Sequence, residues 1–109
     1  MRDEIQTTIK EVVENNDVVL FMKGTKETPQ CGFSNAVVNT LSFMNVDFKD
    51  VNVLEDDSLR EGIKSFTDWP TIPQLYIKGE FVGGCDIIQD MYKSGELSEV
   101  LKAKDISHS

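Results

Sequence analysis

The run Val18-Val19-Leu20-Phe21-Met22-Lys23-Gly24, the polar link Thr25 to Gln30 and the tetrapeptide Cys31-Gly32-Phe33-Ser34 constrain the chain's architecture most tightly. Val18 to Lys23 is β-branched and apolar almost throughout, which predicts a strand covered on both faces. Gly24 stops it, and Thr25-Lys26-Glu27-Thr28-Pro29-Gln30 reads as a loop. Phe33, Ala36, Val37, Leu41 and Met44 then recur at helical spacing, predicting a helix from Cys31-Gly32 to about Phe43. Val46 to Val53 reads as a second strand with poorer alternation. A strand, a helix and a strand in that order call for parallel pairing through a right-handed crossover.

Upstream, Ile5, Ile9, Val12 and Val13 mark an amphipathic helix ending near Asn15-Asn16. Downstream, Ser58 and Glu61 fit a capping box opening a short helix with Leu59, Ile63 and Phe66 inward. Asp68-Trp69-Pro70-Thr71-Ile72-Pro73 cannot be helical, because each proline pushes its predecessor into an extended conformation. Gln74 to Lys78 and Glu80 to Val82 read as two strands about Gly79, a hairpin. After Gly83-Gly84, Asp86 is the expected N-cap of a helix through Ile87, Ile88 and Met91, which Gly95 breaks. Leu97, Val100 and Leu101 suggest another turn or two before a disordered polar tail, residues 103–109. The order predicts an α/β fold of the thioredoxin-like kind, a four-stranded mixed sheet flanked by helices on both faces. The expectation is one domain over residues 1–109 with its core at about 5–102.

With 109 residues and a mass of 12.3 kDa, folding should bury roughly two-thirds of the chain's surface, enough for a core without disulfide staples. Hydrophobic residues make up 39% and charged residues 28%, an ordinary globular balance. The longest purely apolar run, Val18 to Met22, is five residues, too short to span a membrane. No apolar segment at the start resembles a secretory signal, so a reducing compartment is expected. A net charge of −8 repels a phosphate backbone, so nucleic acid is excluded as a partner and positive charge at any anion site must be local. Cys31, Cys85 and His108 are the only soft ligands, too few for a self-contained zinc site.

Cys31 stands between a strand and a helix start, where first-turn N–H groups and the helix dipole favour a thiolate. Lys23 adds positive charge if the loop folds back. An isolated cysteine is more often a small buried hydrophobe, but the adjoining glycine and helix start favour the reactive reading. The position three residues on, where a second thiol would form C-x-x-C, is Ser34. Serine cannot resolve a mixed disulfide, which leaves exchange with an external thiol or ligation of a soft metal; Ser34 is also a candidate helix cap. Ile72-Pro73 is a candidate cis bond that would offer the Ile72 backbone to an extended peptide, although most such bonds are trans. Gly83-Gly84-Cys85-Asp86 is either a helix start able to hold a carboxylate or a plain turn. Arg60 is either a partner for a second carboxylate or a solvated surface residue. Together these elements describe a groove suited to a small peptide carrying two carboxylates and a thiol.

Cys31-Gly32-Phe33-Ser34 resembles the CGFS signature of the monothiol glutaredoxins. Phe21-Met22-Lys23-Gly24, Trp69-Pro70-Thr71-Ile72-Pro73-Gln74-Leu75 and Gly83-Gly84-Cys85-Asp86 match that family in order and spacing. The likeness spans about residues 5 to 102 and is closest to the short single-domain form of bacteria and mitochondria. It implies glutathione binding by Lys23, Arg60, Ile72, Pro73, Gly84, Cys85 and Asp86. Lys23 and Arg60 would meet the glycine carboxylate, Ile72 the cysteinyl backbone, and Cys85-Asp86 the γ-glutamyl end. It also implies that Cys31 ligates a [2Fe–2S] cluster bridging two subunits, with two glutathione thiolates completing the four ligands. The holo form would be a homodimer and the apo form a monomer. The cluster would be handed to acceptor proteins, with BolA-like proteins as further partners, either as mixed-dimer ligand donors or in an iron-sensing adaptor. The competing expectation is a glutathione-dependent disulfide oxidoreductase with Cys31 as nucleophile, an activity the family shows weakly, a trait tied to the loop Gly24 to Gln30. Cys85 would either bridge to Cys31 under oxidation or supply only its backbone N–H. The compartment would be the bacterial cytoplasm or, for a mature organellar form, the mitochondrial matrix.

Overall fold

The computed structural model describes residues 2–108, with the side chains of residues 2 and 3 left aside. The helix α1 (Arg2–Asn15) leads into β1 (Val18–Met22), followed by α2 (Gly32–Phe43) and β2 (Lys49–Asn52). After a 3₁₀ turn at Val53–Glu55 come α3 (Asp57–Thr67), β3 (Gln74–Ile77), β4 (Glu80–Gly83), α4 (Cys85–Ser94) and α5 (Glu96–Ala103). The four strands form one sheet in the order β2-β1-β3-β4. β1 runs parallel to β2, with Val19 opposite Lys49, and antiparallel to β3, with Val18 opposite Ile77. β3 and β4 are antiparallel, with Ile77 opposite Glu80. This is the thioredoxin-like arrangement expected from the element order.

Each residue of β1 is buried, because the strand is central and covered twice. Val18, Leu20 and Met22 point into one core with Val37 and Leu41 of α2, Ile88 of α4 and Leu97 and Leu101 of α5. Val19 and Phe21 point into the other, with Ile9 and Val13 of α1, Ile63 of α3, and Tyr76 of β3. α1 and α3 approach closely at Gly62, where a Cβ would run into Ile5 Cγ2. The β3–β4 turn places Lys78 at φ 53° and Gly79 at φ 82°, the left-handed pair that a two-residue type I′ hairpin requires. The accessible surface, 6353 Å², matches the size expected of a folded chain of this mass.

Several local expectations shift. The second strand is shorter than Val46 to Val53: Val46 and Phe48 are buried in extended chain ahead of β2, and Val53 opens the 3₁₀ turn. The cap of α3 is Asp56, whose carboxylate accepts from Ser58 N at 2.8 Å and Leu59 N at 3.4 Å, so Ser58 is inside the helix. α4 is capped by Gly84 rather than Asp86, two residues earlier than expected. The tail is not loose: Ile106 packs into the α2–α4–α5 core, and Ser98 Oγ meets His108 Nε2 at 3.0 Å.

Candidate functional site

Cys31 and the seven residues expected to bind glutathione all lie on one cleft of about 640 Å³ beside the end of β1. Lys23 and Cys31 stand at one side, Arg60 comes from α3, Ile72 and Pro73 from the segment entering β3, and Gly84, Cys85 and Asp86 from the start of α4. Phe33, Lys64, Trp69, Pro70, Thr71 and Ile87 complete the wall. Lys64 had a sequence signal, being one helical turn after Arg60 on the same face. Trp69 opens the Trp69-Pro70-Thr71-Ile72-Pro73 motif, but no role was expected of its side chain.

Cys31 is the N-cap of α2, in extended backbone at φ −148° and ψ 137°. Its sulfur closes no formal capping hydrogen bond, yet it lies over the first turn, and its thiol pKa is held below the ordinary value. The N–H of Ser34 contributes most, and partial burial works against it. The N–H of Phe33, the charge of Lys23 and the Ser34 hydroxyl add to the lowering. Ser34 itself does not cap the helix. Fully buried, its hydroxyl oxygen accepts the backbone N–H of Lys23 at 3.1 Å, pinning the exit of β1 to the first turn of α2.

The loop after β1 is held as firmly. Gly24, at φ 91°, pairs with Pro29 in an isolated bridge, and its N–H donates to Asn52 Oδ1 at 2.9 Å. Lys26 N donates to Asp50 Oδ2 at 2.8 Å, and Lys26 Nζ reaches Phe48 O at 2.6 Å while lying over the Phe48 ring. The opposite wall hangs on Gln74, whose Nε2 donates to Trp69 O at 3.1 Å and Thr71 O at 3.2 Å. The Ile72–Pro73 bond is cis, and the Ile72 side chain is buried beneath the wall.

At the far end, α4 begins without a side-chain cap, leaving its first-turn N–H groups facing the cleft beside Gly84. Burial pushes the Cys85 thiol pKa up, with the Asp86 carboxylate and Cys31 adding to the rise, so Cys85 is the less reactive sulfur. Both cysteines are free. On a chain of net charge −8, three cations, Lys23, Arg60 and Lys64, line this cleft against one carboxylate, Asp86. Among the described residues, neither Lys23 nor Arg60 is engaged in a salt bridge, whereas Lys64 pairs with Glu61 at 3.4 Å. Arg60 Nε is buried with no partner. An acidic molecule therefore has a local positive receptor here, next to a thiol biased toward thiolate. Among the described residues, no three His, Cys, Asp or Glu side chains gather to hold a metal ion, and no helix is long and apolar enough to cross a membrane.

The family model described as Glutaredoxin matches residues 18–82, from β1 to β4. The chain is 60% identical over 94 residues to a Rickettsia typhi protein named Probable monothiol glutaredoxin 2, covering 86% of this chain and 85% of that one. It is 54% identical over 105 residues to the mitochondrial monothiol glutaredoxin-5 of Lachancea kluyveri, covering 94% of this chain and 73% of the relative. Its fold matches the solution structure of reduced poplar apo GrxS14 with a TM-score of 0.82 at 55% identity, over 92% of each chain. A bacterial and a mitochondrial protein thus resemble it about equally. With that family model over more than half its length and these relatives over most of theirs, the chain belongs to the glutaredoxin family, in its monothiol branch.

Proposed function

We propose that this protein binds glutathione in the cleft and, with a second copy, holds a [2Fe–2S] cluster that it passes to acceptor proteins. The observation that carries the reading is the pairing of a lone thiolate-prone sulfur, Cys31, with a positive cleft whose buried Arg60 Nε has no protein partner. The residues fit the tripeptide. Lys23 and Arg60 would take the glycine carboxylate, the Ile72 backbone beside Pro73 the cysteinyl portion, and the open amides at Gly84, Cys85 and Asp86 the γ-glutamyl end. A cluster needs four thiolates, and each copy offers one reactive protein sulfur. Two copies and two glutathiones would supply the set, each tripeptide lying in the cleft with its thiol toward Cys31. BolA-like proteins are proposed as alternative second partners.

Anaerobic reconstitution with iron, sulfide and glutathione tests this. The expected result is a coloured species running as a dimer, dependent on glutathione and lost in Cys31→Ser. A colourless monomer under those conditions overturns it.

The lowered Cys31 pKa also favours a second reading, a monothiol disulfide oxidoreductase. Its thiolate would attack a glutathionylated substrate, releasing the substrate thiolate and forming a Cys31–glutathione disulfide. A second glutathione would then attack that bond, regenerating the Cys31 thiolate and releasing oxidised glutathione. Rapid turnover of a glutathione mixed disulfide without any chromophore would put this reading first.

A further inference from the structure

Two polar atoms in cleft-lining residues are buried with no hydrogen-bond partner: Arg60 Nε and Trp69 Nε1. Native structures keep few such groups, because a buried donor left unmet loses its water without gaining a partner. Arg60 has a role in the reading above, and Trp69 has none. The indole is firmly placed. Its ring packs on Phe81 with centroids 5.5 Å apart, its backbone N–H donates to Lys64 O at 3.1 Å, and its carbonyl accepts from Gln74. Its nitrogen lies against Gly84, where a Cβ would come within 3.2 Å of Nε1 and 3.3 Å of Pro73 O. Gly84 is also the cap of α4, whose first-turn amides have no side-chain acceptor. An orphaned side-chain donor and a row of open backbone donors therefore meet at one end of the cleft.

We infer that Trp69 is a ligand-binding residue: its indole N–H donates to the γ-glutamyl carboxylate of glutathione, beside the first-turn amides of Cys85 and Asp86. This rests on the glutathione reading above and deepens it. A carboxylate has two oxygens and about four lone-pair sites, enough to take the indole and the helix amides together. Gly84 keeps a side chain from pressing on the indole edge where that oxygen must approach.

The chain contains one tryptophan, so a single indole N–H resonance belongs to Trp69. Reduced glutathione is titrated into the ¹⁵N-labelled full chain. The indole resonance is expected to move downfield and saturate with the same midpoint as the Cys85 and Asp86 amides. Trp69→Phe, which keeps a ring against Phe81, should weaken glutathione about fivefold to thirtyfold by calorimetry, the loss of one buried charge-assisted hydrogen bond. A motionless indole alongside shifting Cys85 and Asp86 amides overturns this inference and leaves glutathione binding standing. No movement of any resonance overturns both.

Discussion

Ser34 Oγ accepts the backbone N–H of Lys23 at 3.1 Å, across the junction between β1 and α2. A buried serine thus stands where a dithiol motif would place its second cysteine, and it holds together the two residues that flank the reactive sulfur. Ser34→Ala removes the acceptor and leaves a backbone donor unmet, so it should cost about 1–3 kcal/mol in urea unfolding. It should also raise the Cys31 pKa, since the hydroxyl is one of the groups lowering it. An unchanged unfolding midpoint would show the tie to be idle. Ser34→Cys should let a Cys31–glutathione disulfide be resolved within the chain, so mass spectrometry should find little glutathione retained after mild oxidation.

The two thiols are expected to separate by pH. Cys31 has its pKa lowered, chiefly by the Ser34 N–H, and Cys85 has its pKa raised, chiefly by burial. Iodoacetamide should alkylate Cys31 at pH values where Cys85 is still unreactive, read by peptide mass spectrometry. The stability effects have opposite signs. The Cys31 contribution is present above its unfolded-state pKa and is lost as pH falls through the depressed folded value. The Cys85 contribution is present below its unfolded-state pKa and is lost as pH rises through the raised folded value. Equal alkylation profiles would refute both assignments.

Gly24 begins the loop that joins two cleft residues, Lys23 and Cys31. At φ 91°, with a Cβ there falling 2.6 Å from both Gln30 N and Thr28 O, no side chain fits without moving backbone. Gly24→Ala should therefore cost about 2–4 kcal/mol, combining left-handed strain with overpacking. Thermal unfolding measures it, and a change within experimental error would mean that the loop yields freely despite its ties to Asp50 and Asn52.

Much of this was legible in the linear sequence, and the reasons are physical. β1 is central, so its apolar run needs no alternation to be recognised, and Lys78-Gly79 turns a hairpin that the flanking strands already announce. What escaped depends on backbone angles and on long-range burial. Asp56, Asp57 and Ser58 are all able caps, and only the extended backbone at Asp56 selects among them. Asp86 looked like a cap because its side chain is suitable, but Gly84 takes the turn and leaves the amides of α4 open to the cleft. Ile106 is a lone apolar residue in a polar tail, without periodicity, yet it closes the α2–α4–α5 core. Most of the cleft residues stand in short motifs, Trp69 among them, but nothing in the motif separates its indole from the rest; that comes only from where its nitrogen lies.

Arg60 tests the anion receptor directly. Its Nε is buried and unpartnered, so a bound carboxylate would supply what the protein does not. Arg60→Leu keeps the packing of the stem and removes a charge-assisted hydrogen bond, which should weaken glutathione about tenfold to a hundredfold. Calorimetry measures it, with circular dichroism expected to stay the same. Full affinity in the variant would move the carboxylate away from α3.

Tyr76 anchors the opposite wall from beneath. Its hydroxyl donates to Gln74 Oε1 at 2.9 Å, which turns the Gln74 amide so that Nε2 holds the carbonyls of Trp69 and Thr71. Tyr76→Phe strands a buried acceptor, should cost about 1–3 kcal/mol, and should loosen the wall enough to weaken ligand binding. The same residue gives an alkaline signature. Burial raises its pKa from 10.0 to about 12, with the Thr67 side chain opposing. A raised acid stabilises the fold fully below its unfolded value, so this stability should decline as pH climbs from 10.0 through about 12. Two pKa units correspond to about 3 kcal/mol at most. Urea unfolding at stepped pH, in a background with Cys31→Ser and Cys85→Ser to remove thiol titration, should show that decline in the parent and its absence in Tyr76→Phe. Parallel pH curves would mean that the phenol ionises without breaking the Gln74 clamp.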